Sequence, residues 1–297
     1  MTDVIRVTAT GRASGYMPEF VAREFGHFEN HDVEVETIVP HDWEDVVTGI
    51  ASGEHDLALG GVWVPAMYRG HGREMVVTGQ MCHRAAFALI SRDEPTGPWL
   101  EQIDGKAIMV PGRGGASGGI YLDMWLREND IDPARARISH DLTDAMMGEL
   151  YHGGFGDALQ VGIVEAKTWE SKGHTVVLDL LEDGGDIPWS VYYTTPETVA
   201  AKGDAIARFN TALEEAMAFM NGTPAAEFVP QVMKWYPGVS ESHLIASIER
   251  MRALRMWTGT RLREDTYMRW QNGVVRGGLL DSPVSLRDIA VDFARVD

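Results

Sequence analysis

Segments typical of strands and of helices alternate along the first two-thirds of the chain, and this alternation restricts the fold more than any other feature. Short runs at residues 4–10 and 33–39 are rich in β-branched residues, and each is followed by apolar residues at helical spacing. A second series of the same kind begins near residue 104, and the pattern becomes helical after residue 196. Because strands that alternate with helices form mostly parallel sheets, we predict an α/β protein with two lobes.

Single residues predict several boundaries within this pattern. Apolar residues at helical spacing predict one helix over residues 16–28, and Asp42 and Gly53 are suited to begin and end the next helix. The pair Gly60-Gly61 predicts a turn after a short strand, and residues 74–90 read as one long extended stretch.

Charge and cysteine content exclude several classes of function. The 297 residues include 26 Lys and Arg against 44 Asp and Glu, a formal net charge of −18. Nucleic-acid phosphates and anionic lipids would be repelled, so we expect neither nucleic acid nor membrane insertion. A small anion stays a candidate ligand, because a few arginines can reverse the field inside a cleft. The one cysteine, Cys82, allows no intrachain disulfide and no Cys-rich zinc site.

The start of the sequence has no basic region followed by the apolar run of a signal peptide. This pattern favours a cytoplasmic protein, with a periplasmic or extracellular location only if the true N-terminus is missing.

Two Gly-rich loops each follow a predicted strand and precede a predicted helix. The first contains Arg12 and Ser14, and the second contains Arg113 and Ser117. Glycine permits close backbone approach, and the N–H groups at a helix start attract anions, so these four residues are candidate ligand contacts. Plain connecting turns with solvated side chains are the alternative. The second loop lacks the Gly-Lys-Ser/Thr ending of a P-loop.

Aromatic residues and a glycine at predicted strand ends form a second group of candidate ligand contacts. A flat aromatic wall suits stacking on a planar ligand, although some of these aromatic side chains will belong to the core. The group comprises Tyr16, Trp43, Gly61, Trp63, Trp189 and Tyr192.

Histidines also recur at predicted strand ends. His41 and His83 are candidate ligand contacts or acid–base groups, with local hydrogen bonding as the alternative. No fixed spacing supports a metal site, so we expect neither metal nor cofactor. Cys82 is predicted to be a buried structural thiol, because neighbouring strand residues such as His83 point to the opposite face. Glu165, at a predicted helix start, is a further candidate contact.

The order of these segments resembles the type II periplasmic-binding fold. More narrowly, it resembles the substrate-binding proteins for sulfonates, taurine and nitrate and the thiamine-pyrimidine synthase-like proteins. The resemblance covers roughly residues 1–220, and no single motif within it is strong. The segments that carry it are residues 4–28, GHFENHDVEVETIV (26–39), IASGEHDLALGG (50–61), IDGKAIMVPGRGGASG (103–118) and FGDALQVGIVEA (155–166).

This resemblance implies a two-lobed protein with a ligand cleft between the lobes and a helical C-terminal extension. Residues 1–90 and 190–297 would form lobe 1, and residues 91–189 would form lobe 2. Residues 78–90 and 189–194 would be the hinge strands.

The resemblance leaves two main functions open. The first is a receptor that binds a small aromatic or anionic organic ligand, a carboxylate or a sulfonate, with a transporter as partner only if the protein is exported. The second is a cytosolic decarboxylase, lyase or hydrolase that would use His41, His83 and Arg113. Ser14 stands about where desulfinase-like members have a nucleophilic cysteine, and Ala58 occupies their arginine position, so that chemistry does not carry over. A sensing role and a homodimer also remain open.

Overall fold

The computed structural model describes residues 2–112, 117–140 and 142–296, which divide into two compact units. The first unit comprises Met1–Arg84, Asp186–Asn272 and Leu280–Asp297, and the second comprises Ala85–Gly185 and Gly273–Leu279. The sequence placed residues 273–279 in lobe 1, whereas the structure places them in the second unit. Close packing accounts for the difference, because a Cβ at Gly273 would lie 2.6 Å from Sδ of Met124.

The secondary-structure elements follow one another in the alternation that the sequence predicts. The strands are β1 (Asp3–Ala9), β2 (Val33–Ile38), β3 (Leu57–Gly61), β4 (Val76–Cys82), β5 (Phe87–Ser91), β6 (Ala107–Met109), β7 (Arg137–Ser139), β8 (Ala158–Gly162), β9 (Thr175–Asp179) and β10 (Ser190–Thr194). The helices are α1 (Met17–Glu24), α2 (His27–Asn30), α3 (Trp43–Ser52), α4 (Trp63–Tyr68), α5 (Ser117–Glu128), α6 (Asp144–His152), α7 (Ile163–Glu170), α8 (Leu180–Asp183), α9 (Pro196–Gly222), α10 (Ala225–Val232), α11 (Glu241–Ala253), α12 (Glu264–Arg276) and α13 (Leu286–Ile289).

The first unit is built on a five-stranded sheet in the order β2-β1-β3-β10-β4. Strand β1 pairs in parallel with β2 and β3, whereas β10 lies antiparallel to both β3 and β4. Strands β1 to β4 therefore point the same way, and their carboxyl ends share one edge with the amino end of β10. We call this edge the first carboxyl edge; it is where open α/β sheets bind ligands.

Several predicted boundaries in the first unit need correction. The predicted helix 16–28 is interrupted, because Gly26 adopts a left-handed φ of +75° and starts the separate short helix α2. Gly60 and Gly61 belong to β3 and not to a turn, since Gly61 pairs with Ser190 of β10. Residues 74–90 form two strands and not one extended stretch. Helix α3 begins after Asp42 and ends at Gly53, as predicted.

Aromatic packing between the first sheet and its helices forms part of the core of the first unit. Phe209 of α9 stacks on Phe28 with ring centroids 5.1 Å apart and meets the ring of Tyr192 edge-on. The buried carboxylate of Glu19 accepts hydrogen bonds from the hydroxyls of Tyr192, at 2.6 Å, and Thr37.

Within the described ranges, no helix is both long enough and apolar enough to cross a membrane.

The second unit has its own five-stranded sheet, in the order β7-β6-β8-β5-β9. Strand β6 is parallel to β7 and β8, and β5 is antiparallel to β8 and β9. The carboxyl ends of β6, β7 and β8 therefore share an edge, which we call the second carboxyl edge. Helix α5 begins near this edge at Ser117.

Candidate functional site

The loop after β1 lies at the first carboxyl edge, and residues that follow much later in the chain fix its backbone. The carbonyl of Gly15 accepts hydrogen bonds from Nε1 of Trp257 at 2.8 Å and from Sγ of Cys82 at 3.3 Å. Ser14 is partly exposed, and Arg12 is exposed with no ion-pair partner among the described residues. The loop thus holds a free guanidinium on a fixed backbone.

Tyr16 follows this loop, and its hydroxyl is engaged by protein groups. It lies 3.2 Å from Oγ of Ser190 and 3.4 Å from Oγ1 of Thr10. Burial raises the pKa of Tyr16 to about 12, so the phenol stays neutral at physiological pH. The structure joins the ends of β1 and β10 through this side chain.

Tyr192 does not reach the surface of the first carboxyl edge. It is fully buried, and burial beside the Glu19 carboxylate raises the pKa of its hydroxyl. The sequence could not show which of the adjacent residues Tyr192 and Tyr193 meets Glu19, because either could have faced helix α1, which carries Glu19.

Two tryptophans form a parallel aromatic pair at the first carboxyl edge. Trp43 opens α3 and Trp63 opens α4, with ring centroids 6.0 Å apart and planes 3° apart. Trp63 is 6% exposed and Trp43 is partly exposed. Gly61 makes room for the pair, because a Cβ there would lie 2.3 Å from Nε1 of Trp63. We call Trp43, Trp63 and Gly61 the aromatic wall, and its role in ligand binding stays a prediction.

The two candidate histidines differ in their environments. His41 is exposed in the segment between β2 and α3. Nδ1 of His83 lies 3.2 Å from the carbonyl oxygen of Met256, and burial lowers the pKa of His83 to about 4. His83 is therefore neutral at pH 7. Trp189 packs at 48° against Trp270, with ring centroids 5.6 Å apart.

Cys82 is a buried structural thiol, in agreement with the sequence-based expectation. It is 1% exposed, and burial raises the pKa of its thiol well above the usual value. A thiol in such surroundings is a poor nucleophile.

The second carboxyl edge carries a buried polar residue that sequence reasoning missed. Gln160 of β8 is 2% exposed, and its Oε1 has no hydrogen-bond partner among the residues that the structure describes. A Cβ at Gly118, in the first turn of α5, would lie 2.9 Å from Nε2 of Gln160, and Ser117 beside it is partly exposed. A glutamine inside the otherwise apolar strand ALQVG was the signal that could have revealed it.

The other candidates of the second unit are placed as follows. Glu165 is exposed, and its Oε2 accepts a hydrogen bond from the backbone N–H of Gly162 at 3.2 Å at the start of α7. Arg113 lies outside the described residues. Across the described part of both units, no three His, Cys, Asp or Glu side chains are grouped to hold a metal ion.

Comparison with solved structures defines the class of protein to which this fold belongs. The chain is similar to the periplasmic aliphatic sulphonate-binding protein SsuA from Escherichia coli, with a TM-score of 0.77, 16% identity and 97% of each chain covered. The chain is also similar to the periplasmic nitrate-binding protein NrtA from Synechocystis PCC 6803, with a TM-score of 0.73 and 13% identity. The match covers 97% of this chain and 86% of NrtA. A third similar structure is the desulfurization enzyme DszB in complex with biphenyl-2-sulfinic acid, with a TM-score of 0.70 and 15% identity. The match covers 99% of this chain and 98% of DszB. The fold is therefore the two-lobed periplasmic-binding-protein fold.

A family model narrows this class. The model described as NMT1/THI5 like matches residues 14–227, and the chain belongs to that family. No curated protein sequence matches the chain. The family resemblance and the fold class predicted from the sequence are thus confirmed.

The comparisons also correct one expectation and limit another. The expected cytoplasmic location is wrong, because similar solved structures, among them SsuA and NrtA, are periplasmic binding proteins. They support the binding of small molecules, and they give no support to a lyase, although DszB shows that an enzyme can have this fold. The ligand-binding roles of the individual residues stay predictions.

Proposed function

We propose that this protein is a receptor for a small organic anion, a sulfonate or carboxylate with a planar part. The observation that carries the proposal is the first carboxyl edge. It has both the guanidinium of Arg12, which has no ion-pair partner among the described residues, and the parallel pair of Trp43 and Trp63. A guanidinium binds a sulfonate or carboxylate through two parallel hydrogen bonds. An indole face stacks on a planar group.

The charge of the chain supports a local mode of anion binding. With a formal charge of −18, the overall field repels an anion, so attraction must come from groups within a few ångströms of it. Arg12 is such a group. In the second unit, the first turn of α5 beside Gln160 offers backbone N–H groups that also suit an anion.

The relatives support the same ligand class. SsuA from Escherichia coli is an aliphatic sulphonate-binding protein and NrtA is a nitrate-binding protein. Another similar structure, 13% identical, is the ligand-binding component of an ABC-type import system from Staphylococcus aureus. We therefore propose a membrane importer as the partner that receives the ligand. Homodimerisation stays a prediction.

The groups available for catalysis argue for binding over turnover. Ser14 replaces the cysteine expected of a desulfinase-like enzyme, and Nδ1 of His83 is directed to the carbonyl of Met256. The thiol of Cys82 is buried and held protonated. None of these groups forms an activated nucleophile with an adjacent base.

Calorimetric titration with a panel of aliphatic and aromatic sulfonates and carboxylates tests the proposal. We expect at least one compound to bind, and Arg12→Gln to weaken it by about tenfold or more through loss of the charge-assisted pair. Arg287→Gln is the matched control, because Arg287 is also exposed but lies near the opposite end of the sheet, where Ala290 bridges Val77 of β4.

Three outcomes would overturn the proposal. The first is that no compound in the panel binds, and the second is that Arg12→Gln and Arg287→Gln bind the best compound equally well. The third is chromatographic detection of a product formed from a bound compound, which would establish the enzyme alternative.

A further inference from the structure

The loop after β1, residues 11–15, is held by side chains from the C-terminal part of the chain; we call it the Arg12 loop. Nε1 of Trp257 donates a hydrogen bond to the carbonyl oxygen of Gly15 at 2.8 Å. The hydroxyl of Tyr236 donates to the carbonyl oxygen of Ala13 at 3.4 Å. Two backbone carbonyls of the loop are thus bonded to donors that follow 242 and 223 residues later in the sequence.

Trp257 cannot exchange its bond to the loop for a bond to water. Its side chain is fully buried, so its N–H would lose its partner if the Gly15 carbonyl moved away. The backbone of Trp257 is itself fixed, because Nδ2 of Asn221 donates to its carbonyl oxygen at 2.8 Å. The indole therefore opposes any displacement of the loop at Gly15.

Tyr236 holds the loop at a second point. The side chain is 6% exposed, and its ring meets the ring of Phe20 edge-on with centroids 5.5 Å apart. Burial raises the pKa of Tyr236 well above its ordinary value, so the hydroxyl keeps the proton that it donates to Ala13. The same carbonyl accepts a hydrogen bond from the N–H of Tyr16 at 3.0 Å. The loop backbone is therefore restrained at Ala13 as well as at Gly15.

These restraints act on the backbone and not on the Arg12 side chain. Arg12 is exposed and forms no ion pair within the part of the chain that the structure describes. At the start of the loop, no described atom lies within 4 Å of a Cβ built on Gly11. The course of the loop beside Arg12 is therefore set by the bonds to Ala13 and Gly15. A contact on a fixed backbone binds more tightly than one on a mobile backbone, because ordering a loop on binding costs free energy.

We propose that Trp257 and Tyr236 are positioning residues for anion binding, which hold the Arg12 loop in the conformation that presents the guanidinium to the ligand. This inference rests on the proposed function, because it concerns the same site. Both residues lie beyond residues 14–227, the region that matches the family model. The C-terminal part of the chain thus contributes to binding through the loop, and not by contact with the ligand.

Limited digestion with trypsin tests the restraint without any ligand. Trypsin cleaves after arginine and lysine, and cleavage after the exposed Arg12 requires the flanking backbone to leave its held conformation. Trp257→Phe keeps an aromatic ring and removes the indole N–H, so we expect the rate of cleavage after Arg12 to rise at least about fivefold. Cleavage after Lys172, an exposed residue of the second unit, should keep its rate in the same digest. Mass spectrometry measures both rates.

Two further variants accompany this digest. Trp125→Phe is the matched control, because it removes another buried indole N–H that donates to a backbone carbonyl, that of Asp183 at 3.0 Å in the second unit. It should leave cleavage after Arg12 unchanged. Tyr236→Phe removes a single hydroxyl and keeps the ring in place, so it tests the restraint even if Trp257→Phe does not fold. We expect it to raise the rate of cleavage after Arg12 about two- to threefold.

A double-mutant cycle connects the restraint to binding. For the best compound of the sulfonate and carboxylate panel, we expect Trp257→Phe to weaken the affinity at least about fivefold and Trp125→Phe to leave it unchanged. Arg12→Gln should weaken the affinity about tenfold in the wild type but no more than about threefold in Trp257→Phe, because an unheld loop presents the guanidinium less well. A purely structural role of Trp257 would leave the full effect of Arg12→Gln in place.

The inference fails if neither Trp257→Phe nor Tyr236→Phe speeds cleavage after Arg12, or if cleavage after Lys172 rises by the same factor, which would indicate general destabilisation. It also fails if the effects of Arg12→Gln and Trp257→Phe on affinity are additive. Absence of binding by the wild type is a different failure. It would overturn the proposed function, and the role in anion binding with it, whatever the ligand-free digest shows about the restraint.

Discussion

Substituting Gly15 by alanine tests whether the loop that carries Arg12 is held as the structure indicates. A Cβ at Gly15 would lie 2.8 Å from Sγ of Cys82 and 3.0 Å from Cε of Met256. The Met256 methyl is the end of a flexible side chain and can move aside. The buried thiol of Cys82 is fixed on β4 and cannot.

The magnitude follows from this overlap. Adding a methyl group to a well-packed interior typically lowers the free energy of unfolding by about 1–3 kcal/mol. We expect Gly15→Ala to lower it by about 2 kcal/mol. Gly15 is not among the residues with positive φ, so backbone strain adds nothing. Cys82→Ala alone removes Sγ and its 3.3 Å contact to the Gly15 carbonyl, at an expected cost of about 1 kcal/mol.

The double variant identifies the cause. In Gly15→Ala/Cys82→Ala the new methyl occupies the space that Sγ leaves, so the combined loss should fall short of the sum by at least about 1 kcal/mol. Urea unfolding followed by tryptophan fluorescence measures all four proteins. Additive losses would refute the reasoning, because they would mean that Gly15 and Cys82 do not share this space.

Three further predictions concern neighbouring groups. Gly61→Ala should displace the Trp63 indole and weaken binding of the best planar anion by at least about threefold in a fluorescence titration. Gly11→Ala is the control, because no described atom lies within 4 Å of its new Cβ, and it should leave the affinity unchanged. Equal affinities of the two variants would contradict a role of the aromatic wall in binding. The pKa of His83 is about 4 when folded and about 6.5 when unfolded, so its contribution to stability is present above pH 6.5 and lost as pH falls. Between pH 7 and pH 4.5 the wild type should lose about 2–3 kcal/mol more unfolding free energy than His83→Asn, and parallel pH curves would rule this out. The thiol of Cys82 should resist iodoacetamide at pH 8 in the native protein and react once urea unfolds it; alkylation of the native protein at the unfolded rate would show that the thiol is accessible.

The alternation of strands and helices could be predicted because residues that are close together in the sequence determine it. Helix α3 is the plainest case, since Asp42 and Gly53 bracket an apolar stripe and the structure begins and ends the helix beside them. The turn predicted at Gly60 and Gly61 failed for a tertiary reason. Glycine occurs both in turns and in strands that pack closely against a large side chain. The sequence does not show that Trp63 packs against Gly61, and this contact is what requires glycine in the strand.

The candidate residues at the first carboxyl edge could be predicted only in part. Parallel topology brings Arg12, Trp43 and Trp63 to one edge, and strand order alone is enough to infer it. Tyr192 could not be assigned, because the register of β10 sets which of two adjacent tyrosines meets Glu19. That register depends on pairing with strands more than a hundred residues earlier in the sequence.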